Sequence, residues 1–184
     1  DTLRTEQRFT APGKHKLWPQ TRHHTQWPGS GEQGDPVFDQ FYASQVQAIV
    51  DRTEIERLNQ DAGAALLDKI GPAILLTHSQ SGPFGWLIAD ARPDLVKGIL
   101  ALEPNGPTFR EIELRGGDDW YQYEDVEDRP FGPTRVPLTF DPPLKPGEAL
   151  KSELRTLSDN PELVTGYLQA EPARQLPKLK NIPI

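Results

Sequence analysis

Apolar residues in this chain fall into short blocks bounded by turn residues. Residues 73–76 (AILL) form an unbroken apolar stretch, with Gly71-Pro72 before it and the polar run Thr77-His78-Ser79-Gln80-Ser81 after it. A block of that length with those boundaries predicts a buried strand. Phe84, Leu87, Ile88 and Ala91 then recur at helical spacing, with Gly82 and Pro83 in the first turn of the expected helix, where proline is tolerated. After Arg92-Pro93-Asp94 a second apolar run, VKGILAL, occupies residues 96–102. A strand, a crossover helix and another strand make a βαβ unit, which implies parallel pairing and helices laid over the sheet. Glu103 closes the second run, at the strand edge where ligands and catalytic groups collect in open α/β sheets.

Upstream, Thr53-Glu54-Ile55-Glu56 has the form of a capping box. Ile55, Leu58, Ala62, Ala65, Leu66 and Ile70 fall on one expected helix face, and Gly71-Pro72 stops it. Gly34-Asp35-Pro36 reads as a turn and cap for a short helix carrying Val37, Phe38, Phe41 and Val46. Residues 1–34 show little periodicity and read as an ordered loop. Residues 108–146 carry Gly116-Gly117, an acidic aromatic tract at 118–128 and six prolines, a composition that excludes a central strand or a long helix. Weak helical patterns follow at 148–157 (Leu150, Leu154, Leu157) and from Asn160-Pro161 through Leu163, Val164, Tyr167 and Leu168, and residues 182–184 look like the approach to a further strand.

The chemistry sits between the two apolar runs. Ser79 has a small residue two places before it, Thr77, and two places after it, Ser81. A serine on a tight strand-to-helix turn is held in a strained backbone conformation, and its neighbours at those two positions pack together, so only small side chains fit. The spacing is that of a nucleophile elbow, with threonine and serine in place of the usual glycines.

THSQSG followed by ALEPNGP (residues 77–82 and 101–107) resembles the α/β-hydrolase fold. Within it, the chain resembles a family of bacterial esterases and fungal relatives whose elbow reads HSQSG. QRFTAP, HTQWPG and EPARQLP at 7–12, 24–29 and 171–177 extend the resemblance over most of the chain. It implies a serine nucleophile at Ser79 and a catalytic glutamate just after the strand that follows the elbow helix, matched in place by Glu103. It also leaves open a secreted or periplasmic location. On this reading residues 1–184 are a partial α/β-hydrolase domain: loop and short helix at 1–50, a helix, strand, elbow, helix, strand core at 51–107, a cap-like insertion at 108–175, and the start of the next strand at 176–184. Long irregular insertions in compact domains are more often functional than idle. Trp120 and Tyr121 are therefore candidate substrate contacts, with Tyr123, Phe131 and Phe140 as further aromatics for an acyl or alcohol pocket.

Charge and composition narrow the classes. A net charge of -7 without clustered Lys and Arg argues against a nucleic-acid partner, and no run approaches the apolar length of a membrane span. The chain has no cysteine, hence no disulfide framework, thiolate metal site or thiol nucleophile. His23-His24 lacks acidic or thiol residues at ligand spacing, so no metal or other cofactor is expected. With no methionine, position 1 is not an initiator, and the chain reads as a piece of something longer.

The histidines complete that expectation. A hydrolase triad runs in the order nucleophile, acid, histidine, yet His15, His23, His24 and His78 all precede Ser79. His78 adjoins the nucleophile, and adjacent residues at an elbow point apart, which favours a pocket-lining role. The expectation is a serine hydrolase of carboxylic esters working through an acyl-enzyme, with Ser79, Glu103 and the Gln80 backbone N–H in this chain. The histidine, the first sheet strands and an oxyanion loop would be supplied by the remainder of the same hydrolase. Lactone opening or acyl transfer on the same scaffold, and a non-catalytic binding domain, remain as alternatives.

Overall fold

The computed structural model describes residues 1–156, 159 and 165–184. Along them run α1 (Thr2–Thr5), a π-type turn (Glu6–Thr10), α2 (Pro12–His15), a 3-10 turn (Pro19–His23), α3 (Pro36–Ala43), α4 (Arg52–Ile70), β1 (Ala73–Ser79), α5 (Gly82–Ala91), a short 3-10 turn (Pro93–Leu95) and β2 (Val96–Pro104). After these come β3 (Arg110–Leu114), β4 (Tyr121–Glu127), β5 (Ser152–Arg155) and β6 (Gly166–Gln169). Residues 1–48 with 112–124 form one unit, and 49–111 with 125–184 form a second.

Residues 1–34 carry short helical turns rather than the loop their sequence suggests, and the Asp1 and Asp35 side chains cap α1 and α3. Asp35 starts α3, its Oδ1 accepting from the Val37 and Phe38 amides at 2.8 and 3.2 Å and its Oδ2 from the Ser30 amide at 2.8 Å. Phe38 is fully buried and stacks on Tyr42, while Trp27 meets Phe41 edge-on. The Thr10 hydroxyl donates to the Gly31 carbonyl at 2.6 Å. The 112–124 segment also departs from the expected irregular tract. Gly116 and Gly117, both at positive φ, turn the chain between β3 and β4, which pair as a two-stranded sheet. Tyr121, Tyr123 and Val126 in β4 supply the β-formers that composition alone obscured.

The second unit is organised by α5. Leu87 enters a cluster with Phe109, Val136, Leu138, Phe140 and Leu150, and Ala89 enters another with Leu67, Val96, Ile99 and Leu179. β1 and β2 pair in parallel on either side of α5 in sequence. They bury one face only: Ile74, Leu76, Leu100 and Leu102 point outward and are exposed. Pro183 accepts a hydrogen bond from the Ile99 amide at 2.9 Å, so residues 182–184 lie beside β2 without forming a strand.

α4 differs from its expected face and cap. Its N-cap is Asp51, which accepts from the Thr53 and Glu54 amides, and Glu56 turns inward to Arg135 instead of back to the cap. Leu58, Leu66 and Ile70 are exposed, whereas Glu56, Ala64 and Leu67 are buried. Close approach decides this: a Cβ on Gly63 would overlap the Ile88 side chain of α5, so the small-residue face packs and the larger aliphatic one turns out. The pattern at 148–157 gives β5 in place of a helix, since Ser152 to Arg155 pair antiparallel with β6. Of the expected helix from 160 to 168, residues 160–164 lie outside the described residues, and Tyr167 and Leu168 lie in β6.

Candidate active site

Ser79 and Glu103 stand at the carboxyl ends of paired strands. His78 is opposite Leu102 and Ser79 is opposite Pro104, so Glu103 is an extra residue in β2 that bulges beside the His78–Ser79 peptide. Bulges re-aim side chains next to functional sites. Both residues also carry positive φ, +52° at Ser79 and +41° at Glu103. L-residues pay for that conformation, and it persists only where surrounding structure enforces it.

The enforcing contacts are local. The Ser81 hydroxyl donates to the His78 carbonyl at 2.8 Å and accepts from the His78 amide at 2.9 Å, while the Ser81 amide also reaches the His78 carbonyl at 3.1 Å. The serine standing where glycine is usual therefore staples the turn. The Asn105 amide donates to the Ser79 carbonyl at 2.7 Å, tying the loop after Glu103 to the elbow. Gly82 is needed for this approach, because a Cβ there would lie 2.5 Å from the Pro104 Cβ. Thr77, at the other small position, is buried against Gly85, and its hydroxyl has no hydrogen-bond partner among the described residues.

Ser79, Gln80, His78 and Glu103 are all exposed. Among the described residues nothing hydrogen-bonds the Ser79 hydroxyl, the Glu103 carboxylate or the Gln80 amide, which lies just before α5. A structural role for Glu103 as a buried hydrogen-bonded carboxylate does not fit that exposure. Trp120 and Tyr121 meet edge-on at 5.5 Å, as do Tyr121 and Tyr123, and all of them fold with the first unit, while Ser79, His78, Gln80 and Glu103 belong to the second. Phe131 and Phe140 line a cavity of about 600 Å³ in the second unit, together with Pro137, Leu138 and Leu144. His15, His23 and His24 belong to the first unit, so His78 is the second unit's own histidine.

The elbow spacing does not announce the Ser81 staple, the Asn105 tether or Arg129, whose Nη1 donates to the Pro107 carbonyl at 3.0 Å. Ser81 carried a visible signal, a hydroxyl where only small size was required. The other contacts use backbone groups or distant charges, which leave no pattern in the chain. Among the described residues no cluster of His, Asp or Glu could hold a metal ion, and no helix is long and apolar enough to cross a membrane.

The chain is 46% identical over 169 residues to a probable secreted lipase, phiG, of a fungal species. The alignment takes in 92% of this chain but only 44% of the lipase, so the chain spans less than half of that relative's length. A second similarity, 28% identity over 137 residues to adhesion G-protein coupled receptor V1 of Danio rerio, covers 72% of this chain and 2% of the receptor. No family model and no solved structure matches the chain.

Proposed function

We propose that the chain is part of a secreted serine hydrolase of carboxylic esters with an α/β-hydrolase fold. The observation that carries this reading is the bulge that sets Glu103 beside Ser79, with both backbones at positive φ. The similarity to a probable secreted lipase supports the ester class and the secreted location.

In this reading Ser79 Oγ attacks the ester carbonyl carbon as its proton passes to a histidine supplied by the rest of the hydrolase. Glu103 orients that histidine and stabilises its imidazolium. The Gln80 N–H, at the positive end of α5, donates to the oxyanion. The C–O bond to the alcohol breaks as the histidine returns the proton to it, and water then cleaves the acyl-serine by the same steps in reverse.

The test uses the full-length hydrolase. A serine-directed fluorophosphonate should label it at Ser79, and Ser79→Ala should abolish both labelling and turnover of a p-nitrophenyl ester. Labelling that survives the substitution removes Ser79 from the role. Glu103→Gln keeps volume and removes charge, so kcat should fall by about a hundredfold or more with folding retained.

A further inference from the structure

The loop that leaves Glu103 is tied at both ends, and toward its far end the Thr108 hydroxyl donates to the Tyr167 carbonyl and the Phe109 amide to the Gly132 carbonyl at 2.8 Å. Its near end is the Asn105 amide on the Ser79 carbonyl, 2.7 Å away. Its far end is gripped by Arg129, whose side chain is 1% exposed. Arg129 Nη1 donates to the Pro107 and Arg110 carbonyls at 3.0 and 3.3 Å, Nη2 pairs with Glu111, and its backbone amide donates to the Phe109 carbonyl at 2.9 Å. A single residue therefore contacts four members of the segment 107–111.

A charge-balanced cluster surrounds this grip. Glu111 also meets Arg52 at 2.9 Å and Arg135 at 3.3 Å, and Asp128 pairs with Arg135 and lies 3.6 Å from Arg129. Glu56, 2% exposed on α4, accepts from the Arg135 and Val136 amides at 2.7 and 3.0 Å and from Arg135 Nη1 at 2.9 Å. Buried ion clusters contribute little net stability compared with apolar side chains of the same volume. This one also leaves Arg129 Nε without an acceptor among the described residues. Its distinctive product is geometry, since a planar guanidinium bonded to two carbonyls of one loop fixes both position and orientation.

We infer that Arg129 is a positioning residue for Glu103. By holding the far end of the loop it keeps the strained Glu103 backbone in the bulge beside Ser79, without itself touching substrate. The inference rests on the reading of Glu103 as the catalytic acid.

A double-mutant cycle in the full-length hydrolase tests it, using wild type, Arg129→Lys, Glu103→Gln and the double variant. Lysine keeps a charge but has one nitrogen in place of Nη1 and Nη2, so it cannot hold the two carbonyls and Glu111 together as arginine does. Arg129→Lys should lower kcat by about tenfold or more at nearly unchanged KM, because small misplacements of catalytic groups are costly. The double variant should match Glu103→Gln alone, since the effect of Arg129 passes through Glu103. Losses that multiply in the double variant, or parental kcat in Arg129→Lys, overturn the inference while leaving the acid assignment standing. A Glu103→Gln enzyme with parental kcat overturns both. Circular dichroism and the urea midpoint check folding, and if Arg129→Lys does not fold, Glu111→Gln loosens the same grip and takes its place in the cycle with the same outcomes.

Discussion

The Asn105 amide donates to the Ser79 carbonyl at 2.7 Å. The loop that follows the candidate acid is thus joined to the candidate nucleophile through peptide groups, and the joint depends on how closely the two backbones approach. Gly82 sets that approach, because a Cβ at this position would stand 2.5 Å from Pro104 Cβ and 2.7 Å from its Cα.

Gly82→Val should force the elbow and the loop apart. The expected cost is about 1–3 kcal/mol of stability, as for other overpacked sites. The proposed full-length hydrolase should also lose about tenfold or more in kcat, since Ser79 and Glu103 would shift relative to each other. Urea titration and steady-state kinetics on the same preparation measure both. A variant with unchanged kcat would show that the spacing of elbow and loop does not matter to turnover.

The strand, helix and strand around Ser79 were legible because their signals are local: apolar runs, a small-residue spacing and Pro-Gly punctuation. The α4 face was not. Its sequence offers an aliphatic stripe at Leu58, Leu66 and Ile70, but packing chose the stripe with Gly63 and Ala64, where helices come close, and paired Glu56 with an arginine 79 residues away. The candidate site residues can be named from the elbow spacing, whereas the contacts around them leave no pattern in the chain. Nothing in the spacing from Glu103 to Arg129 announces a hydrogen bond between Arg129 and Pro107, and the β3–β4 sheet was masked by acidic residues interleaved with its tyrosines.

Thr77→Val should stabilise the fold. The hydroxyl of Thr77 is buried with no partner among the described residues, and valine keeps its shape while removing the unsatisfied polar atom. A gain of about 1 kcal/mol is expected from the desolvation cost of such a group. A lower urea midpoint for Thr77→Val would mean that the hydroxyl has a bound partner.

Asp35 provides a pH-dependent prediction. The Ser30 amide first, then the Phe38 and Val37 amides, hold its carboxyl below the usual carboxylate range. The folded carboxylate binds its proton less readily than the unfolded one, so its contribution to stability is full above the unfolded value of about 3.9 and is lost as pH falls through the lower folded value. Asparagine keeps one oxygen for the helix cap but turns an NH₂ toward the Ser30 amide. The urea midpoint of the parent should therefore exceed that of Asp35→Asn at neutral pH, and the gap should narrow as the pH falls below about 3.9. A gap independent of pH would exclude the charge as its source.

One face of the β1–β2 sheet is uncovered. Ile74, Leu76, Leu100 and Leu102 are 65%, 66%, 54% and 50% exposed, while Leu75 and Ile99 on the opposite face pack into the α5 cluster. Parallel sheets are stable when both faces are covered, so in the proposed full-length hydrolase further chain would lie on this face. The 184-residue chain alone should then bind a hydrophobic dye, self-associate and fail to turn over a p-nitrophenyl ester. Replacing Leu76 and Leu100 by threonine should make the isolated chain more soluble. In the full-length protein the same pair should cost about 3–6 kcal/mol, the burial free energy of two leucines. Stability of the full-length pair variant within error of the parent would mean that nothing covers this face, and ester turnover by the isolated chain would mean that the rest of the hydrolase is not needed for catalysis.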